Sequence, residues 1–479
     1  MKILSVLFLL AAVCLNAQDI ADPVVKSKQM FDPKRPLERE LQTSVADGFT
    51  LAAVGDCIIS RPLSQYAERD PNFASTVKIL KQSDATYGNL ETTIFDMREF
   101  KGYPTSWEGD WTLVSEPTVA KDLADMGFDL FSRANNHSLD WGLEGMRETT
   151  RLLDQTGLVH AGAGESEGSA RAAQFFESGK GRIAIVSMTS AFRDTANALP
   201  PHGSTPGRPG VNGLNVRKIT VVPKEMMQQL IAMRNSISGP QAGTPAPQEP
   251  LSLFGQQFEI GTSFHYRYEM NPDDLAAILR SIRQGKQNSD FLIATIHSHE
   301  TLNEDAVETP AQFLTELAHA AIDAGADEFA VTGIHHLSGV EIYKGRPIFY
   351  GLGNFFWSDV VDFLPADIYS RNKTKLAEAF QHPEKATDAD LTALLNASGF
   401  NNDRTFQSMI AESRFDHGAL AEIRLYPIDL GYGRKLPESG IPRMASPQKA
   451  AEILAWLQKA SAQYGTKIAI ENNIGIIHP

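Results

Sequence analysis

Five stretches of this chain end in side chains suited to metal or phosphoryl chemistry. Asp56 closes "LAAVGD". Asn89 and Glu91 close "DATYGNLE". Asn135, Asn136 and His137 follow "FDLFSR", with Asp140 three residues further on. His297 and His299 follow "FLIATI", and His335 and His336 follow "FAVTGI". Carboxylates, amides and imidazoles together form the donor set that borderline divalent metals accept. Each group alone has an ordinary reading: a Gly-Asp turn, a helix start, an asparagine turn or a core histidine. Five such groups at matching places in one pattern point instead to one site.

The pattern is set by the elements before them. Each group follows a short apolar run that reads as a buried strand. Between these runs lie helix-like segments. "TVKILKQS" is one, and "SEPTVAKDLADMGFDLF" reads as helix, turn and strand, with Ser115 as cap and Gly127 as stop. "GLEGMRETTRLLDQTG" reads as a helix stopped by Gly157, and "SPQKAAEILAWLQKASAQYG" as one capped by Ser446 and Pro447. The alternation predicts an α/β architecture, and in such sheets ligands bind beyond the carboxyl ends of the strands. Residues 192–262 break the rhythm with Pro, Gly and Gln around one helix, "KEMMQQLIAMRNSI". They read as an insertion, and polar, helical 359–414 as a second. The main domain is expected over 49–440, with a closing helix and tail over 446–479.

Bulk properties narrow the function. A formal net charge of −14 disfavours nucleic acid as a partner. At the N-terminus, Lys2 and "ILSVLFLLAAVCL" read as an export signal over 1–17, cleaved after Ala17. Lipidation at Cys14 is the less favoured alternative, because Val13 precedes it. The expected location is the periplasm or cell envelope. Residues 18–48 read as an extended lead-in. Cleavage would leave Cys57 as the one cysteine, so no intrachain disulfide is expected.

The blocks "VGDCIISRPL", "YGNLETTIF", "RANNHSLDWGLEGMRETTRLLDQTGLVHAGAG" and "GVEIYKGRPIFYGLGNFFW" closely resemble the CapA family of capsule or poly-γ-glutamate biosynthesis proteins. That family is similar in fold to the calcineurin-type metallophosphoesterases. The resemblance therefore implies an α+β four-layer sandwich, with two packed mixed sheets flanked by helices. It implies Asp56 as a ligand of a first metal, Glu91 as a bridging ligand and Asn136 as an amide ligand of a second. His297 and His335 match further metal-ligating histidines, and His137 matches the histidine that stabilises or protonates the leaving group. Asp140 is placed to orient His137. Asn89, Asn135, Arg61, His299, His336 and Asn354 are expected to contact substrate.

Three departures from the pattern stand out. Ile58 occupies a position where the metallophosphoesterases carry histidine, His-Trp-Gly becomes His297-Ser298-His299, and Thr332 replaces another histidine. One-metal and two-metal sites (Mn, Zn, Fe or Mg) therefore both stay open. So do three functions: a metal-dependent hydrolase acting on an anionic polymer, a non-catalytic polymer-binding component of the membrane-bound capsule machinery, and a phosphoesterase unrelated to capsule. A polyanionic substrate would require cations to offset the acidic chain, and Arg61, Arg133 and Arg346 are the local candidates.

Overall fold

The computed structural model describes residues 43–105, 113–238, 250–303, 309–359, 364, 366–397 and 402–479. The expected export segment, with Cys14 and Ala17, lies outside the described residues. So does the lead-in as far as residue 42.

Two mixed sheets pack face to face. The larger runs Ala469–Glu471, Ile474–Ile477, Ala419–Asp429, Gln407–Asp416, Phe49–Ile59, Ala85–Leu90, Leu130–Ser132 and Val159–Ala161. Asn354–Ser358 also pairs in parallel with the far end of Phe49–Ile59. The smaller sheet runs Val340–Tyr343, Arg346–Phe349, Glu328–Thr332, Phe291–His297, Gly181–Thr189 and Gln174–Ser178.

Strand periodicity sorts the side chains into layers. Leu51, Ala53, Ala85 and Tyr87 of the larger sheet share one core with Ile183, Ile185, Phe291 and Ile293 of the smaller. Ala52, Val54 and Leu90 face the other way, onto helices Pro71–Gln82 and Val119–Asp125. On the smaller sheet, Leu292, Ala294 and Ile296 turn outward onto helices Pro272–Gln287 and Gln312–Asp323. The result is helix, sheet, sheet, helix: a metallophosphoesterase-like sandwich. Phe291 lies 5.2 Å from Phe49 and 4.9 Å from Phe415, bolting the sheets together at the end where Phe49–Ile59 begins. Such pairs add roughly 0.5–1.5 kcal/mol each beyond the area they bury.

Local signals explain most of the helices. Asp70 caps Pro71–Gln82, Ser166 caps Glu167–Arg171, and Ser446 caps Pro447–Ser461 through the Lys449 amide. Gly157 ends Gly142–Thr156 at φ 78°. Ser115 is not a cap. Its helix starts at Val119 after Thr118, and the Ser115 hydroxyl bonds Ile59 O and Thr92 instead. Both expected insertions also contain sheet. Helix Lys224–Ser238 forms as read, but Val216–Pro223, Leu251–Leu253 and Gln256–Gly261 join His265–Met270 in a separate four-stranded sheet. That sheet carries a small core of Val222, Met227 and Leu253. The second segment supplies helices up to Asn396, but its last part, Gln407–Asp416, is a central strand antiparallel to Phe49–Ile59.

No helix among the described residues is long and apolar enough to cross a membrane.

Candidate metal and acid–base site

The site-bearing strands present their carboxyl ends between the two sheets. On Ala85–Leu90, Ala85 and Tyr87 point into the inter-sheet core, so Asn89 and then Glu91 fall on the same side. On Phe291–His297 the inward series ends at His297, and on Glu328–Thr332 it ends at Thr332. Asp56 needs more than periodicity. Ala53 faces inward, so a regular strand would turn Asp56 outward. The register slips between Ala53 and Asp56 against one neighbour and between Asp56 and Cys57 against another. A bulge of this kind re-aims a side chain beside a site, and it turns Asp56 inward. Gly55 makes this possible, because a Cβ there would lie 1.8 Å from Gly353 O.

Asp56 is fully buried. It accepts from Asn89 Nδ2 at 2.8 Å and from the Gly333 amide at 3.1 Å. Burial raises its carboxyl, but hydrogen bonds and charge from His297 and His335 outweigh that and hold it well below the usual carboxylate range. Gly333 comes this close only because it has no Cβ: its φ is 103°, and a Cβ would meet Ser298 O at 2.6 Å. Asn89 Nδ2 also donates to His297 Nδ1 at 3.1 Å, and Asn89 Oδ1 accepts from Asn135 Nδ2. Asn135 in turn accepts from the His137 amide and the Ser138 hydroxyl. The two asparagines thus link the first sheet's aspartate to the second sheet's histidine and to the His137 loop.

Glu91 is the centre of the arrangement. It is fully buried, and neither carboxylate oxygen has a hydrogen-bond partner. The Nε2 atoms of His297, His137 and His335 lie 3.7, 3.8 and 3.9 Å from its Oε1. These distances exceed a hydrogen bond. They match two ligands of one ion, which at about 2.1 Å each lie roughly 3–4 Å apart. The tautomers sharpen the point. His335 Nδ1 sits 2.7 Å from Asn354 Oδ1, and the Asn354 amide is fixed by its own donation to Thr405 O. His137 Nδ1 sits 2.7 Å from Asp140 Oδ2. Both Nδ1 atoms therefore donate, so that in the neutral rings Nε2 is an acceptor, on the side of a carboxylate whose own oxygens have no hydrogen-bond partner. Acceptors facing acceptors in a buried site require a cation or a proton between them. Without a metal, burial first and the Asp56 charge second push the Glu91 carboxyl well above its usual range.

Two overlapping groups have donor atoms close enough to share an ion: Asp56, Glu91 and His297, and Glu91, His299 and His335. His299 Nε2 is 3.1 Å from His297 Nε2. Asn136 Oδ1 is buried without a hydrogen-bond partner, as an unfilled ligand position would be. His335 holds its place at φ 57°, an uncommon conformation for a residue with a side chain, and the edge of Trp357 packs on its ring. Thr332, standing where a histidine was expected, offers its hydroxyl to His297 Nδ1 at 3.2 Å. Ile58 belongs to the apolar core behind the first sheet.

The site does not gather every residue expected in it. His336 Nδ1 turns to the His335 carbonyl, and its ring lines a separate surface cleft with Arg404 and Trp456. Arg61 bonds Pro437 O and lies over Tyr66. Arg133 is buried against Thr150 and Met146 O, and Arg346 pairs with Asp327. None of the three arginines expected to offset the acidic cleft makes an ion pair with Asp56, Glu91 or Asp140. Other residues join unexpectedly. Glu300 accepts from Ser190, Ser298 and the His299 amide, clamping the histidine loop. Asp359, directly after Asn354–Ser358, has its carboxyl pushed up to about 6 by burial, with His137 opposing. Both obey the strand-end rule and were legible by it.

A two-sheet sandwich with a histidine–carboxylate cluster at its strand ends defines a metallophosphoesterase-like protein. The model of the bacterial capsule synthesis protein family PGA_cap matches residues 50–358, and the chain belongs to that family. It is 43% identical over 456 residues to the uncharacterized protein y4sH of Sinorhizobium fredii, covering 93% of this chain and 96% of that one. It is 26% identical over 311 residues to the capsule biosynthesis protein CapA of Bacillus anthracis, covering 64% of this chain and 59% of that one. Over 319 residues it is 23% identical to the PGA biosynthesis protein CapA of Bacillus subtilis, covering 66% and 65% respectively.

Proposed function

We propose that this chain is an exported, metal-dependent hydrolase of capsule or poly-γ-glutamate synthesis, acting on an anionic polymer. The observation that carries the metal reading is the Glu91 carboxylate, buried without a hydrogen-bond partner, with the Nε2 atoms of His297 and His335 at 3.7 and 3.9 Å. Asp56, Glu91, Asn136, His297, His299 and His335 would hold the ion or ions. A bound divalent ion polarises an acyl or phosphoryl oxygen and lowers the pKa of water. The protein's own contribution is positional. Asn89 and the Gly333 amide fix Asp56. Asn354 fixes the His335 tautomer, and Asp140 fixes that of His137. With Nδ1 committed to Asp140, His137 carries its labile proton on Nε2 and delivers it to the leaving group.

A second reading, polymer binding without turnover, is favoured by Ile58 and Thr332, which remove two expected histidines. Elemental analysis of purified full-length protein separates the outcomes. Stoichiometric divalent metal in the wild type, lost in Asp56→Ala and Glu91→Gln, supports the metal site. Cleavage of a γ-glutamyl polymer or a phosphodiester by the loaded protein, lost in His137→Ala, supports hydrolysis. Bound metal with no cleavage of either supports the binding reading. Metal-free wild type that takes up none on dialysis removes both enzyme functions.

A further inference from the structure

The exposed apolar surface of this molecule is unevenly placed. Among the described residues eleven large apolar side chains are exposed, and six of them, Met226, Met233, Ile237, Phe254, Ile260 and Phe264, lie in the small inserted sheet, its helix and its connections. Helix Lys224–Ser238 packs on strands Val216–Pro223, Leu251–Leu253 and Gln256–Gly261. Met227, Leu230 and Ile231 make that contact, around Val222 and Leu253. A neighbouring face of the helix looks outward. Met226, Met233 and Ile237 are 43%, 49% and 70% exposed, and Leu230 lies half-buried between them. The steps from 226 to 230, 233 and 237 are those of a heptad seam, so the four side chains stand in one line along the helix.

A line of this kind is the surface by which one helix packs on another. Charge selects what faces it. The chain carries a formal net charge of −14, so two copies repel at most approaches. This helix does not share that acidity. Its charged residues are Lys224, Glu225 and Arg234, two cations and one anion, and Gln228, Gln229, Asn235 and Ser236 are neutral. A helix lying on a membrane carries a strongly charged, basic polar face, which this composition does not supply. An uncharged apolar seam is complementary to itself. That is the condition for a twofold contact in which the same patch serves on both copies. Ile260 extends the seam at the start of the helix. It pairs with Val222, two residues before Lys224, and its exposed side chain leaves the strand on the same side as Phe258, the side the helix covers.

We propose that helix Lys224–Ser238 is a self-association surface, pairing with the same helix of a second copy along Met226, Leu230, Met233 and Ile237. The pairing reaches the metal site through one strand. In His265–Met270 of the same sheet, the Tyr266 amide donates to Leu302 O at 2.8 Å and the Tyr268 hydroxyl to Thr301 O at 3.2 Å. Those carbonyls directly follow His299 and Glu300. A second copy seated on the helix therefore bears on the module that braces the histidine loop. The inference requires neither bound metal nor turnover. A single helix seam is a small interface, so the pair dissociates on dilution.

Sedimentation velocity of the purified full-length protein across the micromolar range tests this. Wild type is expected at the mass of two copies at the top of the range and of one at the bottom. The Met233→Glu/Ile237→Glu double variant is expected to pair about tenfold or more weakly, with melting temperature and metal content unchanged, because both side chains already face water. Ile470→Glu, an exposed apolar position outside the module, is expected to pair like wild type. A wild type that stays single throughout overturns the inference, and so does pairing undiminished in the double variant. A lowered melting temperature in the double variant assigns the stripe to the module's own core and overturns it too. Flotation of wild type with phosphatidylglycerol vesicles, lost in the double variant, assigns the stripe to a membrane instead and has the same consequence.

Discussion

At the scale of single residues, the site works through pairs in which one side chain fixes the protonation of another. Asp140 is the clearest case. It is fully buried, accepts from His137 Nδ1 and from the Leu113 amide through the same oxygen, and has Arg193 near the other. Asp140→Asn keeps the shape but offers His137 a neutral partner, which supports the imidazolium far less. If the protein hydrolyses its substrate, turnover in Asp140→Asn falls roughly 10²- to 10⁴-fold, the range general acid catalysis supplies. Metal content stays at the wild-type level, because Asp140 is not in either ligand group. Steady-state kinetics beside elemental analysis checks both halves, and unchanged turnover would remove His137 from the acid role. The residue identities were legible from the chain alone, since each is a polar side chain directly after an apolar run. Arg193 was not, because nothing in "TSAFRDT" distinguishes a cation beside Asp140 from one in solvent.

At the scale of elements, what matters is how strand ends are aimed. The strand "FTLAAVGDCII" was readable as a strand ending in an aspartate, but its bulge was not. Sequence period alone would have sent Asp56 to the helix side of the sheet. The bulge depends on the contact between Gly55 and Gly353, where two backbones come too close for any side chain. Gly55→Ala would place a methyl group 1.8 Å from a backbone oxygen, with only backbone to yield. The variant is expected to lose about 3 kcal/mol of stability and to bind metal weakly even where it folds. A denaturant midpoint together with metal content reads both effects, and a wild-type midpoint would show that the sheet has slack there. The separate four-stranded sheet hid for a related reason. "VRKITVVP" is a charged strand between loops rich in Pro and Gly, and its partners lie some 40 residues away, beyond reach of any local pattern. The closing hairpin Ala469–Glu471 to Ile474–Ile477 did have a local signal: Asn472 and Asn473, both at positive φ, form the turn.

At the scale of the whole molecule, the inward face that delivers Asn89, Glu91 and His297 to the site also carries an ionisable group with no part in it. The same period of two that puts Ala330 and Thr332 between the sheets puts Glu328 there as well. It is fully buried, with neither carboxylate oxygen hydrogen-bonded and Ser413 of the facing sheet beside it. Burial pushes this carboxyl up to about 8, with the Ser413 hydroxyl opposing and the neighbouring Asp327 charge adding a smaller push in the same direction as burial. The consequence for folding has a definite sign. Below about pH 4.5 the carboxyl is protonated in both folded and unfolded chains and carries no penalty. Between about pH 4.5 and pH 8 the unfolded chain releases this proton while the folded one keeps it, so the unfolded state gains and stability falls. Above about pH 8 the penalty is complete, at a few kcal/mol as an order of magnitude. Glu328→Gln mimics the protonated acid at every pH. Its stability should match the wild type near pH 5, exceed it progressively toward pH 8, and hold a constant excess beyond. The quantity to measure is the difference in unfolding free energy between variant and wild type across this range, which cancels the titration of all other groups. A difference that stays flat from pH 5 to pH 8 would mean that Glu328 ionises normally, through water or movement between the sheets, and that the inter-sheet core is less dry than its apolar lining implies.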